Sequence, residues 1–261
     1  MNYAIAVWAG LGALVVAGAC TQLPLESSAA ASTTAFRASP LTARPPDSAG
    51  YERRAPRDPN GIGLYYEGRQ IAHVMGHEGA DWLERDDRPQ DEGTDLLLKE
   101  LALKPTDKVA DIGAGTGYFS FRMARLVPRG EVLAVDIQPE MITELQQRQL
   151  KNGLANVRPT LGTTTNPHLP ANGLDLVLIV DAYHEFDHPR EMGRAIAHAL
   201  RPGRGRLALV EYRAEDPNVP IKAIHKMTVA QAKKEMAAVG LKLVQLDEKL
   251  PQQHLMFFQR Q

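Results

Sequence analysis

Val109-Ala-Asp-Ile-Gly-Ala-Gly-Thr-Gly-Tyr-Phe-Ser120 is the stretch on which the reading of this chain turns. Lys108 to Ile112 is a short apolar run suited to a buried strand, and the spacing predicts a helix from about Tyr118 to Leu126. Between them stand Gly113, Gly115 and Gly117, with Ala114 inside the turn. Glycine there permits positive φ and lets a ligand lie directly against the backbone. In open α/β sheets that ligand belongs in the crevice beyond the carboxyl ends of the strands. The next strand-like run, Glu131 to Asp136, ends in an acid placed to accept hydrogen bonds from both hydroxyls of a ribose.

A nicotinamide dinucleotide is the first competitor for such a turn. Its fingerprint is G-x-G-x-x-G, with the opening of the helix facing a pyrophosphate. Here the spacing is G-x-G-x-G, and Asp111 stands two residues before the first glycine. A carboxylate at that point repels a pyrophosphate and suits a cation such as an amino group or a sulfonium.

Outward from the loop, strand and helix alternate. Pro139 to Leu150 is a helix opened by proline. Val157 to Leu161 is a third strand, and Leu174 to Val180 is apolar enough to lie at the sheet centre. Pro189 to Leu200 is helical and Arg206 to Tyr212 is the fifth strand. Thr228-Val-Ala-Gln231 is a capping box for a helix that stops at Gly240. Two last strand-like runs, Leu241–Leu246 and His254–Gln259, suit an antiparallel hairpin at one edge. The fold expected is doubly wound α/β, with a mostly parallel sheet covered on both faces. Before it, residues 68–85 are expected to hold one or two short helices, and the segment from His73 to Trp82 is expected to fold over the site as a lid, with Trp82 packing and Tyr65 or Tyr66 nearby.

The run DIGAGTG, with VLAVDIQPEM after it and LRPGRGRLALVEY at the fifth strand, resembles the class I S-adenosylmethionine-dependent methyltransferases. The similarity covers about residues 90–212. The resemblance implies that Gly113, Ala114, Gly115 and Gly117 pack against the methionine and ribose parts of S-adenosylmethionine. It implies that Asp111 engages the methionine amino group through water, and that Asp136 holds the ribose with Ile137 and Gln138 beside the adenine. Many members carry an acid after the third strand. Here Leu161-Gly-Thr-Thr-Thr165 has none, which leaves a threonine hydroxyl, Thr163, or a backbone group for the adenine. Asp181 falls near the methionine end.

His184-Glu-Phe-Asp-His188 also matches H-E-x-x-H, the signature of zinc metalloproteases. That motif needs both histidines inside one helix. Here a strand ends at Val180, and Pro189 biases His188 away from helical geometry. The stretch is instead expected to be the loop after the fourth strand, where this family receives its methyl acceptor. His184 is the candidate base or acceptor-positioning group, since imidazole takes a proton near neutral pH, with Glu185 beside it. The alternative is that the two residues shape the loop. His73 and His77, spaced by four on an expected helix, read as a helix face rather than as ligands. His225 and Lys226 are placed either at the acceptor pocket or on a helix surface. No metal site is expected.

The bulk numbers agree with a 261-residue chain holding one large α/β domain. A net charge of −1 lacks the basic footprint of a nucleic-acid binder. Cys20 is the single cysteine, so the folded body has no disulfide. Residues 4–19 form an alanine-rich apolar run, short for a transmembrane span and ending in Ala17-Gly-Ala19 before that cysteine. Residues 1–20 are therefore expected to be a signal peptide, a lipoprotein signal lipidated at Cys20, or a membrane anchor. The body is then either exported or held in the cytoplasm. Residues 21–60, rich in Ala, Ser, Thr and Pro, read as a disordered tether, and residues 61–261 as the domain. The acceptor is expected to be a small molecule, and the oligomeric state is left open. Two other function classes stay open beside a methyltransferase: a membrane-tethered S-adenosylmethionine-binding module without catalysis, and an NAD-dependent oxidoreductase.

Overall fold

A computed structural model describes residues 49–261. Its main sheet contains β4 (Lys108–Ile112), β5 (Glu131–Asp136), β6 (Val157–Leu161), β7 (Leu176–Val180), β8 (Arg206–Arg213), β10 (Leu241–Asp247) and β11 (Gln253–Arg260). They run in the order β10-β11-β8-β7-β4-β5-β6, with the two-residue β9 (Lys226–Met227) beside the end of β8. The pairings from β8 through β6 are parallel, and β11 pairs antiparallel with both β8 and β10. The sheet order reverses between β4 and β7, which places a crevice at their carboxyl ends.

Alternation along the strands decides what covers each face. Ala110, Leu133, Val177 and Leu207 point into a core completed by α6 (Pro189–Ala199) and α7 (Val229–Ala237). Val109, Val132, Leu178 and Ala208 point the other way, onto α3 (Thr94–Glu100), α4 (Tyr118–Leu126) and α5 (Pro139–Asn152). Burial on both faces explains why the central strands are almost wholly apolar. The Thr228 hydroxyl caps α7 by accepting from the Gln231 amide at 3.1 Å. Gln231 does not return the bond; its side chain reaches Glu235 at 2.8 Å, so half of the expected capping box forms.

The N-terminal part departs from the sequence reading. Tyr51–Arg53 (β1), Gly61–Tyr66 (β2) and Arg69–Ala72 (β3) form a three-stranded antiparallel sheet. The expected tether therefore ends no later than residue 50, and residues 69–72, expected to be helical, are a strand. The reason is tertiary. Tyr66 and Ile71 are fully buried, and Tyr51 stacks on Tyr66 at 5.0 Å between ring centroids. Tyr65 and Tyr66 serve this small sheet rather than the crevice. Helical structure follows only in a turn at His77–Gly79, α1 (Ala80–Leu83) and α2 (Arg88–Glu92), so His73 and His77 do not share a helix. Trp82 is 51% exposed, with the Arg85 guanidinium 3.9 Å over its ring.

Among the described residues no helix is long and apolar enough to cross a membrane. The expected signal or anchor, residues 1–20 with Cys20, lies outside the described residues.

Candidate functional site

The crevice is a cavity of about 770 Å³, within the range of small-molecule sites. Its floor is the carboxyl ends of β4, β5, β7 and β8. Its roof comes from the segments around residues 59–60, 73–75, 82–83 and 220–225.

The glycine loop forms one wall. Gly113, Gly115 and Gly117 all have positive φ, at 74°, 53° and 86°. A Cβ on Gly115 would stand 2.6 Å from the Leu83 Cδ1 of the roof, and one on Gly117 2.4 Å from the Phe121 ring. Gly113 and Gly115 line the cavity, whereas Ala114 is 7% exposed within the core and Gly117 packs on α4 and α5. Asp111 does not reach the cavity wall either. It lies beneath the loop, accepting a 2.6 Å hydrogen bond from the Ser120 hydroxyl, and burial raises its pKa to about 6.

Asp136, Ile137 and Gln138 line the cavity where β5 ends. The Asp136 carboxylate accepts from the Gly115 amide at 2.9 Å and the Gln138 amide at 3.0 Å. It thus ties the loop to the strand end and keeps further lone pairs for a ligand. Burial raises its pKa despite these bonds. Gln138 donates to the Met75 carbonyl at 3.1 Å, and the Met75 amide donates to Glu185 at 3.1 Å. Residue 75 is therefore strapped across the cavity at both ends. Thr163 lines the wall, with its hydroxyl in contact with Asn166.

Asp181 follows β7 in a left-handed conformation, φ 48°, which costs a non-glycine residue of order 1–3 kcal/mol. It is positioned in the cavity wall with Arg88, Glu92 and Tyr212. Its Oδ2 accepts from Gln253 at 2.6 Å, while its Oδ1 and the Gln253 Oε1 are buried without a hydrogen-bond partner. Burial first, then Glu92 and Glu211, hold its pKa well above the usual carboxylate range. An unpaired acceptor set of this kind fits a cationic amino group. Together with the glycine loop and Asp136, it matches a nucleoside joined to an amino acid.

His184 and His225 line the same cavity. Tyr183–Glu185 is a single 3-10 turn, and His188 caps α6 with φ −128° and ψ 63°. The two histidines of the H-E-x-x-H match thus share no helix. His184 is 2% exposed. Its Nδ1 stands 2.7 Å from Glu211 Oε2 on β8, and its backbone amide donates to Glu211 Oε1 at 3.2 Å. Its Nε2 stands 3.0 Å from His225 Nδ1. Glu185 Oε1 is 3.8 Å from each of those two ring nitrogens. His225 lines the cavity, and burial followed by the neighbouring His184 lowers its pKa to about 4. Burial raises that of Glu185. Lys226 turns away, its ammonium donating to the Val219 carbonyl.

Sequence reasoning missed Glu211, Arg88, Glu92 and Met75. A signal existed for the first: Glu211 is a charge inside an otherwise apolar strand, and buried charges persist only with partners.

Residues 109–203 match the family described as a methyltransferase domain. The chain is 40% identical over 120 residues to an uncharacterized methyltransferase of Mycobacterium tuberculosis, covering 46% of this chain and 44% of that one. It is 32% identical over 130 residues to a ubiquinone/menaquinone biosynthesis C-methyltransferase of Ectopseudomonas mendocina, covering 49% and 50%. A solved SAM-dependent methyltransferase from Aquifex aeolicus shares the fold, with a TM-score of 0.66 at 20% identity over 71% of this chain and 98% of that one. The similarity to methyltransferases is carried by residues 109–203. The chain spans about half the length of the curated relatives it matches.

Proposed function

We propose that this protein transfers a methyl group from S-adenosylmethionine to a small-molecule acceptor held against His184, Glu185 and His225. The observation that carries the reading is that one cavity is lined by two sets of groups. Gly113, Gly115, Asp136 and Asp181 are of the cofactor-holding type. His184, Glu185 and His225 are able to accept a proton.

S-adenosylmethionine supplies an electrophilic methyl group on a sulfonium. The residues of this chain supply placement. Asp136 and the glycine loop fix the ribose, Asp181 receives the amino group, and the Met75 strap closes the roof over both. Methyl transfer needs in-line attack, and holding two reactants in line accounts for much of the acceleration. A proton carried by the acceptor leaves at the histidines, where Glu211 sets the tautomer of His184.

Two measurements test this. Calorimetry with S-adenosylhomocysteine should show binding, and Asp136→Ala should weaken it by roughly 1–3 kcal/mol, as for hydrogen bonds to a charged group. Unchanged affinity rejects the ribose role. Turnover of methyl-labelled cofactor against a metabolite extract separates an enzyme from the non-catalytic binding module, which binds without transferring label.

We also infer that residues 1–20 attach the domain to a membrane, on the strength of the apolar run at 4–19. Sedimentation of the full chain with membranes, against a soluble 49–261 fragment, tests this.

A further inference from the structure

We infer that His184, Glu185 and His225 form a binding site for a divalent metal ion of the zinc type, open to the cavity on its fourth side. One ligand atom from each of the three lies within 4.8 Å of the other two. Their separations are 3.0, 3.8 and 3.8 Å for His184 Nε2, His225 Nδ1 and Glu185 Oε1. The nearest point equidistant from three atoms so spaced lies in their own plane, about 2.1 Å from each, which is the length of zinc–nitrogen and zinc–carboxylate bonds. A tetrahedral ion needs ligand spacings of ~3.4 Å, a shift of about 0.4 Å at each side of this triangle.

The surroundings complete the arrangement. Metal-ligating histidines commonly give their other ring N–H to a carboxylate, which fixes the tautomer and raises ligand basicity. Glu211 Oε2, buried and 2.7 Å from His184 Nδ1, does this here. It leaves the lone pair of Nε2 facing His225 and Glu185. The second Glu185 oxygen is held by the Met75 amide at 3.1 Å, so the carboxylate is oriented as well. Without an ion, a proton sits between His184 Nε2 and His225 Nδ1. On binding, His225 carries its proton on Nε2 instead, and the imidazole stays neutral.

Two nitrogens and one carboxylate favour zinc, and after it the other imidazole-preferring first-row ions, over magnesium or calcium. Three protein ligands with an open position is the pattern of a site that binds a further molecule. All three residues line the cavity. The open position therefore takes an oxygen, nitrogen or sulfur of the methyl acceptor and lowers its pKa, replacing proton acceptance by the histidines when the ion is bound, a role that rests on the methyltransferase reading. The ion site itself does not.

The test uses the full chain stripped with EDTA and titrated with Co2+. The expected result is the strong visible absorption of four-coordinate Co2+, saturating at one equivalent and abolished by Zn2+. His225→Ala and Glu185→Gln should each lose that band. Glu211→Gln, which touches no ion, should keep the band with affinity weaker by about 10–100-fold. His188→Ala should bind as the wild type does. Circular dichroism and melting temperature confirm that each variant is folded, and the buried His184 is left intact for that reason. The site is overturned if the wild type gives no saturable band, or if the band survives both His225→Ala and Glu185→Gln. Calorimetry with S-adenosylhomocysteine on the metal-free chain reads the cofactor groups independently, so either reading can fail without the other.

Discussion

Asp111 is 3% exposed and held by the Ser120 hydroxyl beneath the glycine loop. Its folded pKa of about 6 lies above the ordinary 3.8 because burial penalises the charged form more than Ser120 and Arg88 favour it. Below about pH 4 the carboxyl is protonated both folded and unfolded, and nothing is lost. Between pH 4 and 6 the folded chain holds a proton that the unfolded chain has released, so stability falls as pH rises. Above pH 6 the full cost of the buried charge is present, about 3 kcal/mol for a shift of this size. Asp111→Asn should therefore raise the unfolding free energy in urea at pH 8, and raise it less at pH 5. An equal gain at both values would show that the charge is not what costs. At this scale the sequence placed Asp136 at the end of a strand and Asp181 and His184 in the segment after the next central one, because strand ends are legible from apolar runs. It did not reveal that Asp111 faces α4. A strand's two sides look alike in sequence when both are buried, and only packing shows which side Ser120 occupies.

Arg69 of β3 is one of the links that join the three-stranded sheet β1-β2-β3 to the main domain. Its guanidinium makes two hydrogen bonds to Glu235 on α7, at 2.7 and 2.9 Å, and a third to the His184 carbonyl at 3.0 Å. The Glu235 side chain has no exposed surface. Removing one partner of such a pair leaves a buried charge uncompensated, at a typical cost of 3–5 kcal/mol. Arg69→Met should destabilise by that amount in chemical denaturation. The double variant Arg69→Met/Glu235→Leu should recover most of it, and a double variant no better than the single would refute the account. Arg69 also fixes the turn that carries His184, so acceptor binding should weaken with it. The helices and strands from residue 108 onward were legible because their periodicities and caps agree with their tertiary environment. Residues 51–72 were not. Short strands among Gly, Arg and Pro carry little periodic signal, and this sheet is set by the burial of Tyr66 and Ile71 and by contacts made more than a hundred residues away.

For the whole molecule, the domain begins before β2. The Tyr51 hydroxyl donates to Glu191 at 2.5 Å and accepts from the Arg190 amide at 3.1 Å, joining β1 to the start of α6. A fragment of residues 49–261 should melt close to the full chain, and one of residues 61–261 several degrees lower; equal melting temperatures would make β1 dispensable. The main sheet has a second consequence, and it concerns the order of synthesis. β11 is an interior strand, yet residues 253–260 follow every other strand in the chain. Until they emerge, β8 offers a growing polypeptide an apolar, unpaired edge, which is a template for wrong pairing. Closing the sheet must then wait for a late, non-local contact, and such contacts slow folding. The interval between the translation of β8 and that of β11 is the period in which that edge is open to wrong pairing.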